Sequence, residues 1–305
     1  MAHDDDASRP APGRVRDALR VSPGPVNLAG YPTVGPTRLP VDAPSAPGRK
    51  KKEAGKPAAA KNVEKVSKQG LAASDLADLQ ERLFAEHTRS LLLVLQGIDT
   101  AGKGGVVTHV VGLLGPEGVV STAFKQPTAE EQAHHFLWRV RKRLPTPGLV
   151  GVFDRSHYED VIVPRVHELV PETEWRRRYA EINEFETQLA DSGTAVVKCF
   201  LHVSYDTQRE RLLARLADPS KRWKFHESDL VERGYWSQYQ DAYAGMLQHC
   251  STEVAPWYVI PSDDKPFRNW AVGQIMQESL LELDPRYPEP NLDLDALRAR
   301  LAPPH

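Results

Sequence analysis

The stretch LLLVLQGIDTAGKGG, residues 91–105, constrains the fold more than any other part of the chain. It begins with an almost continuous apolar run of strand length, which is typical of a parallel strand covered on both faces. Gly97, Gly102 and Lys103 then match the G-x-x-x-x-G-K pattern of a phosphate-binding loop. Because a helical pattern follows, the motif has the strand–loop–helix context that it requires, and a glycine-rich turn without a ligand is the less favoured alternative.

The glycines of this loop allow backbone N–H groups to converge on one point. The N-terminus of the next helix and Lys103 add positive charge, so the sequence predicts a site for a phosphate chain. Gly104 stands where such loops usually carry a Ser or Thr that holds magnesium. The expected phosphate-binding residues of the loop are Gly97, Ala101, Gly102, Lys103, Gly104 and Gly105.

Two carboxylates could replace the missing hydroxyl. Asp99 lies inside the loop, and Asp154 follows the apolar run LVGVFD at the end of a later strand. The carboxyl ends of strands line the ligand crevice of an open α/β sheet, so we expect the two acids to face each other across the phosphates. Mg²⁺ prefers oxygen ligands, and Mn²⁺ is a candidate substitute. The alternative for Asp154 is a turn-forming aspartate at a strand end.

Apolar runs alternate with helical patterns along most of the chain. The runs at 119–124, 149–154, 195–203 and 257–261 are predicted strands in addition to the first one. This alternation predicts an α/β fold, a three-layer sandwich with a five-stranded parallel sheet and helices on both faces.

Two of the predicted helices are long. The first covers 128–144, with Thr128 as its N-cap and Glu131 completing a capping box. The second covers 230–250 without interruption.

The first part of the chain differs in composition from the rest. Residues 1–60 are rich in Pro, Ala, Gly and Lys and offer few large apolar side chains, so we expect a flexible tail, although VNLAGYPTV could dock on the body. The basic run at 49–52 is a solvated tail or a contact for a polyanion. We expect a phosphotransferase domain over 61–290, with a lid at about 209–232, and a C-terminal extension over 291–305.

Overall composition excludes several classes of protein. The net charge is −2, which does not favour a nucleic-acid or membrane partner. No apolar segment approaches the roughly 20 residues of a membrane helix, and the acidic N-terminus does not resemble a signal peptide, so we expect a cytoplasmic protein. Cys199 and Cys250 are expected to be reduced, and the histidines lack metal-ligand spacing.

Basic residues cluster in two further places. The first cluster could be a mobile segment that closes over the phosphates, as in other phosphoryl-transfer enzymes. The alternative is an amphipathic helix with a charged outer face. The second cluster is either a solvated helix face or one side of a groove for a long polyanion. The first cluster comprises Arg209, Arg211, Arg215, Lys221, Arg222 and Lys224, and the second Lys125, Arg139, Arg141, Lys142 and Arg143.

An ordered set of motifs resembles the polyphosphate kinase 2 family. The set covers about 70 to 285 and resembles most the polyphosphate:nucleotide phosphotransferase branch, whose members have one such domain. The motifs are LQGIDTAGKGG, FKQPTAEEQAHHFLWRV, FDRSHYEDVIVPRVH, INEFETQLADSGTAVVKCFLHVS, RLADPSKRWKF and STEVAPWYVIPSDDK.

The resemblance implies a P-loop kinase-like fold with a helical lid. It also implies inorganic polyphosphate and a nucleotide as substrates, Mg²⁺ as cofactor, and a homo-oligomer, either dimer or tetramer. By position, the implied catalytic residues are Asp99, Lys103, Asp154, Arg155 and Arg215; Asp99 and Asp154 hold the metal; Lys221 and Lys224 bind phosphate; and Arg209, Arg222 and Asp229 belong to the lid.

Asp154 marks one departure from this branch, many members of which carry Asn there. This difference leaves open whether a nucleoside mono- or diphosphate is the better acceptor. We expect a polyphosphate-dependent nucleotide phosphotransferase that acts on ADP/ATP, with AMP as a candidate further acceptor. The alternatives are an ATP-dependent nucleoside monophosphate kinase, against which Gly104 argues, and a nucleotide or polyphosphate sensor without turnover.

Overall fold

One parallel sheet forms the centre of the molecule. The computed structural model describes residues 14–35 and 73–301. The strands are β1 (Ser90–Gln96), β2 (Val119–Ala123), β3 (Val150–Asp154), β4 (Thr194–His202) and β5 (Trp257–Pro261). All five strands are parallel, as the sequence predicts, and they pair in the order β2-β3-β1-β4-β5.

Helices cover both faces of the sheet, and every residue of the central strand β1 is buried. The helices are α1 (Val15–Leu19), α2 (Ala73–Glu86), α3 (Lys103–His109), α4 (Ala129–Gln132), α5 (Trp138–Arg141), α6 (Glu159–Val166), α7 (Glu172–Asp191), α8 (Tyr205–Ala217), α9 (Ser228–Gly234), α10 (Trp236–Cys250), α11 (Lys265–Leu283) and α12 (Leu294–Leu301). One layer contains α6, α7 and α10, and the other contains α2, α3 and α11.

The strand register determines where the functional loops emerge. Leu95 of β1 is level with Asp154 of β3 and with Cys199 of β4. The glycine-rich loop after β1 and the segment after β3 therefore leave the same edge of the sheet side by side. This is the edge at which open α/β sheets bind their ligands.

The helix predicted over 128–144 is instead two single turns, α4 and α5. The capping box is present, since Thr128 Oγ1 accepts from the Glu131 N–H and the Glu131 carboxylate accepts from the Thr128 N–H. The chain turns after α4 because Arg139 is directed inward, where its guanidinium donates to the Lys125 carbonyl at 2.8 Å. Arg139 is 6% exposed, so the interpretation of this group as a wholly solvated face was wrong for Arg139. Tertiary contacts have overridden local propensity.

The helix predicted over 230–250 is also divided. It forms α9 and α10, which meet at Tyr235 directly after Gly234. Glycine weakens a helix interior, and the break lies next to it.

The N-terminal segment over 14–35 packs against the domain. Val15, Val21 and Leu28 are almost completely buried, and the Val21 N–H donates to the Trp257 carbonyl of β5 at 2.9 Å. The prediction of a flexible tail was wrong for residues 14–25, where Val15 and Val21 are buried. The alternative that VNLAGYPTV docks on the body is confirmed, since Leu28 is buried there. The basic run at 49–52 lies outside the described residues.

Within the ranges 14–35 and 73–301, no helix has the length and apolar character needed to cross a bilayer. The boundaries at 61 and 290 stay predictions. The C-terminal helix α12 has no buried residue.

We predict that the junction between the N-terminal segment and α11 contributes to stability. The Glu278 carboxylate accepts from the backbone N–H groups of Val15 and Arg16 at 2.9 and 3.0 Å. Glu278→Ala should lower the free energy of unfolding in urea by roughly 1–3 kcal/mol, because two donors lose a charged acceptor. As a control, Glu253→Ala removes an exposed ion pair with Arg20 and should cost less than about 1 kcal/mol. Equal losses would contradict the assignment.

Candidate active site

The loop between β1 and α3 has a conformation that requires glycine at specific positions. Gly97 has φ 147°, and a Cβ there would lie 2.8 Å from the Leu201 carbonyl oxygen. Gly102 has φ 115° and Thr100 has φ 66°, so the backbone enters the left-handed region twice more. A Cβ on Gly104, by contrast, would meet nothing within 4 Å. The missing side chain at position 104 is therefore not a steric necessity.

Arg268, in the first turns of α11, supports the loop from behind. A Cβ on Gly102 would lie 1.8 Å from Nη1 of Arg268, and one on Gly105 would lie 2.6 Å from Nη2. The same guanidinium donates to the Ala101 carbonyl at 3.3 Å. Burial, followed by the neighbouring Arg211 cation, lowers the pKa of Arg268 to about 10, so Arg268 stays charged at neutral pH. Two loop glycines thus make room for a cation as well as for a ligand.

Sequence reasoning missed Arg268 because it belongs to no motif near the loop. Its position offered a signal, since the helix after β5 starts at the same sheet edge. Arg211 was recognised only as part of a basic cluster. Its guanidinium donates to the carbonyls of Thr100 and Ala101 at 2.9 and 3.1 Å and to those of Ser262 and Asp263. It therefore joins the loop to the segment after β5.

Lys103 folds back onto its own loop. Its Nζ donates to the Gly97 carbonyl at 2.7 Å, and only 8% of the residue is exposed. Burial lowers the pKa of Lys103, and the Arg155 cation lowers it further, while Asp99 raises it. The ammonium group of Lys103 is therefore held within the loop, where it interacts with the charges of Asp99 and Arg155.

Asp99 and Arg155 form the contact that joins the two functional loops. Oδ1 of Asp99 accepts from Nη2 of Arg155 at 2.7 Å. Burial acts to raise the pKa of Asp99, but the Lys103 and Arg155 cations outweigh it and hold the pKa below its usual value. Arg155 has φ 64°, and its N–H donates to the Leu95 carbonyl at 3.1 Å. A non-glycine residue in this conformation is strained and must be held by its surroundings.

The donor set at this edge fits a hard divalent cation. Asp154 and Asp99 both line the cavity, and the charges of both act on the Lys103 ammonium group. One oxygen of Asp99 already accepts from Arg155, which leaves its second oxygen for a metal. Two carboxylates together with phosphate oxygens are a usual magnesium environment.

Glu159, at the start of α6, is a further acid that sequence reasoning missed. Burial raises the pKa of Glu159 above its usual value, although the Arg155 and Lys103 cations act to lower it. Its place in the motif FDRSHYED, five residues after Asp154, was the available signal.

The segment predicted to form the lid, at about 209–232, is held by contacts among its own residues. Arg215 Nη1 donates to the Lys224 carbonyl at 2.9 Å and approaches Asp229 at 3.4 Å. The Lys224 ammonium lies 5.0 Å from the centre of the Trp223 ring. Lys221 pairs with the carboxylate of Asp218. These contacts hold three cations on one side of the segment.

A cavity of about 690 Å³ collects most of the predicted residues. From the predicted set it is lined by Asp99, Gly102, Lys103, Gly104, Gly105, Asp154, Arg155, Arg215, Lys221 and Lys224. Its wall does not include the loop residues Gly97 and Ala101, or the predicted lid residues Arg209, Arg222 and Asp229. The roles of all these residues stay predictions.

Charge is distributed very unevenly around this cavity. Its wall carries two carboxylates, those of Asp99 and Asp154, against nine cations. A chain with a net charge of −2 has therefore concentrated positive charge in one place. Such a wall suits a ligand with many negative charges. The cations are Lys103, Lys125, Arg155, Arg211, Arg215, Lys221, Lys224, Lys265 and Arg268.

Neither cysteine is suited to nucleophilic chemistry. Cys199 and Cys250 are free and buried, and burial raises the pKa of both thiols. The chemistry of the site therefore depends on lysine, arginine and carboxylate groups.

Comparison with known proteins agrees with this geometry. The chain matches the family model for polyphosphate kinase 2 over residues 59–287. It is 48% identical to the AMP/ADP-polyphosphate phosphotransferase of Meiothermus ruber over 215 residues, which are 70% of this chain and 80% of that protein. It is 44% identical to the ADP-polyphosphate phosphotransferase of Rhodopseudomonas palustris over 226 residues, 70% of this chain and 78% of that protein.

A solved structure extends the similarity to the fold. The crystal structure of polyphosphate kinase 2 from Arthrobacter aurescens TC1 superposes with a TM-score of 0.83 at 43% identity, covering 97% of this chain and 99% of that one. This chain belongs to the polyphosphate kinase 2 family.

Proposed function

We propose that this protein transfers a phosphoryl group between inorganic polyphosphate and a nucleoside mono- or diphosphate. The observation that carries the proposal is the cavity beside the glycine-rich loop, with nine cations and two carboxylates on its wall. A long polyanion can contact many of these cations at once, whereas a single nucleotide has too few phosphates to do so. The activities named for the relatives of Meiothermus ruber and Rhodopseudomonas palustris support the same reaction class.

The acceptor is a nucleotide whose terminal phosphate is already an anion. It can attack a polyphosphate phosphorus without a strong general base, so catalysis depends on alignment and on neutralisation of charge. Lys103 and Arg155 hold and neutralise the transferred group, and Arg215, Lys221 and Lys224 close over it from the lid at 209–232. The site is correspondingly rich in cations.

A divalent cation is the expected cofactor of such a phosphotransferase, and we propose Mg²⁺, with Mn²⁺ as substitute. Asp99 and Asp154 would hold it. When bound, the ion would neutralise phosphate oxygens of the two substrates. Asp99 thereby supplies, from within the loop, the ligand that Gly104 cannot.

Two other functions fit part of the site. An ATP-dependent nucleoside monophosphate kinase would also use the loop and Lys103, and a sensor would bind the same ligands without turnover. The high density of cations favours polyphosphate as donor over ATP.

One assay separates the three functions. Purified protein with ADP, Mg²⁺ and polyphosphate but no ATP should produce ATP, and AMP is tested beside ADP. A kinase of the adenylate kinase type would form ATP only from two ADP molecules, with AMP as the second product and with or without polyphosphate, and a sensor would form none. The control reaction therefore omits polyphosphate, and the proposal requires that ATP formation stop.

Further features of the protein belong to the same proposal. We propose a cytoplasmic homo-oligomer, a dimer or tetramer, with the phosphotransferase domain over 61–290 and the C-terminal extension over 291–305. No nucleic-acid or membrane partner is required by this reaction. Both AMP and ADP are named for the Meiothermus ruber relative, and the presence of Asp154 makes the acceptor profile the most informative measurement.

Lys103→Ala should lower kcat by about 10²-fold or more, because one preorganised cation at the transferred group is lost. The rate of ATP formation from ADP and polyphosphate measures this. Lys142→Ala is the control, since Lys142 stacks on Trp138 and is not on the cavity wall, and it should retain full activity. Near-normal turnover of Lys103→Ala would remove the assignment.

Asp99→Asn should sharply raise the magnesium concentration needed for half-maximal rate, because an amide is a weaker ligand for Mg²⁺ than a carboxylate. The activity is titrated with Mg²⁺ at fixed substrate concentrations. Asp191→Asn, an exposed position at the end of α7 and away from the cavity wall, serves as the charge-matched control. Superimposable titration curves for Asp99→Asn and the unmodified protein would refute a metal role for Asp99.

The loop glycines provide a third test. Gly104→Ser should fold and remain active, because the position is open and its φ does not lie in the left-handed region. Gly102→Ser should lose activity and thermal stability, because its φ of 115° is strained for serine and its Cβ would meet Arg268. Thermal unfolding and the ADP assay compare the two variants. If they behave alike, the loop geometry described above is wrong.

A further inference from the structure

A cluster of four polar residues is completely buried behind the segment that carries Asp154 and Arg155. His157, Tyr158, Glu186 and Lys198 each have a fully or almost fully buried side chain, and none lines the cavity. We call this group the buried ionic cluster. Because none of its side chains reaches the cavity wall, any effect of the cluster on the site passes through the chain.

Most contacts of the cluster join its own members. Lys198 Nζ donates to Glu186 Oε2, to Tyr158 Oη at 2.8 Å and to the Cys250 carbonyl at 2.7 Å. Tyr158 Oη donates to Glu186 Oε1 at 2.7 Å, and Nε2 of His157 lies 3.2 Å from the same oxygen. All three ammonium protons are used, and both oxygens of Glu186 have partners.

Stability alone does not account for this arrangement. Burial acts to raise the pKa of Glu186, but Lys198, followed by His157, outweighs it and holds the pKa below its usual value, so the carboxylate is charged. Two charges are thus removed from water inside the domain. Replacement of such pairs by apolar residues of similar volume is often neutral or stabilising, which means that a buried ion pair is weak support for a stability role.

The position of the cluster along the chain is more informative. His157 and Tyr158 follow Arg155 by two and three residues, and Arg155 has the strained φ of 64°. Between them, Ser156 Oγ accepts from the Tyr158 N–H at 3.2 Å and from Gln96 Nε2 at 3.2 Å. Gln96 is the last residue of β1, directly before the glycine-rich loop. The cluster therefore fixes one end of a short chain of contacts whose other end is the phosphate loop.

We propose that the buried ionic cluster positions Arg155: it anchors residues 156–158 on α7 and β4 so that the strained Arg155 directs its guanidinium to Asp99 and the transferred phosphate. This inference rests on the proposed function of Arg155. His157, Tyr158, Glu186 and Lys198 are positioning residues, not catalytic ones. Helix α7 and strand β4 thereby determine the geometry of a site that neither of them reaches.

The double variant Glu186→Gln/Lys198→Met tests the proposal, because it removes both charges while keeping side-chain volume. It should stay folded by circular dichroism, and its kcat should fall by about 10- to 100-fold, as expected from a misplacement of about 1 Å. The KM for polyphosphate should change much less, because eight other cations line the cavity. Val197→Ala is the matched control. It removes buried volume from the neighbouring position of β4 and should keep its kcat.

Tyr158→Phe provides a second, milder variant in case the double variant does not fold. It keeps the ion pair and loses only the hydroxyl, and its kcat should fall by severalfold. If the folded double variant, or Tyr158→Phe where the double variant is unfolded, keeps kcat within about twofold of the unmodified protein, the proposal is overturned. It is overturned as well if Val197→Ala loses as much kcat as the cluster variants.

A double-mutant cycle with Arg155→Lys tests whether the effect passes through Arg155. Lysine keeps the charge but not the planar fork. In that background, the cluster substitutions should lower kcat little further, since the orientation that they protect is already lost. Independent, multiplying effects would contradict a positioning role. If Arg155→Lys itself retains full kcat, the proposed function of Arg155 fails instead, which distinguishes the two failures.

Discussion

Mutual repulsion among nine cations around one cavity is the constraint on which the rest of the site depends. The protein offsets it in three ways. Asp99 pairs with Arg155, Arg215 approaches Asp229, and carbonyl oxygens of the chain accept from Lys103, Arg211 and Arg268. A carbonyl group offsets less positive charge than a carboxylate does, so the cavity wall stays strongly positive. A polyanionic substrate would complete the neutralisation, which couples binding to the relief of repulsion.

The sheet could be predicted because each strand is a mainly apolar run between helical patterns. The loop could be predicted because its glycines and lysine follow a strand directly. The division of 128–144 into α4 and α5 could not, because it depends on Arg139 reaching a carbonyl and a carboxylate that are distant in sequence. Composition likewise concealed the docking of residues 14–25, where Val15 and Val21 are buried within a polar segment.

The site was predictable to the extent that its residues lie in local motifs. Asp99, Lys103, Asp154 and Arg155 follow from strand ends, and the structure brings them to one cavity. Arg268 and Lys265 come from a helix after the last strand, and only the strand order brings that helix to the loop. Local patterns contain no such information about order. The buried ionic cluster behind α6 escaped notice for the same reason, since its members are spread over 157–198.

The N-terminal segment has a consequence for how this protein can be handled. β5 is the last strand of the sheet order, and the segment lies along it, with an antiparallel bridge between Arg20 and Tyr258. A version of the protein trimmed to its phosphotransferase domain would leave that strand with unpaired backbone groups. Exposed strand edges recruit other chains and lead to aggregation. Removal of the segment over 14–35 would therefore expose part of the β5 edge to pairing with other chains.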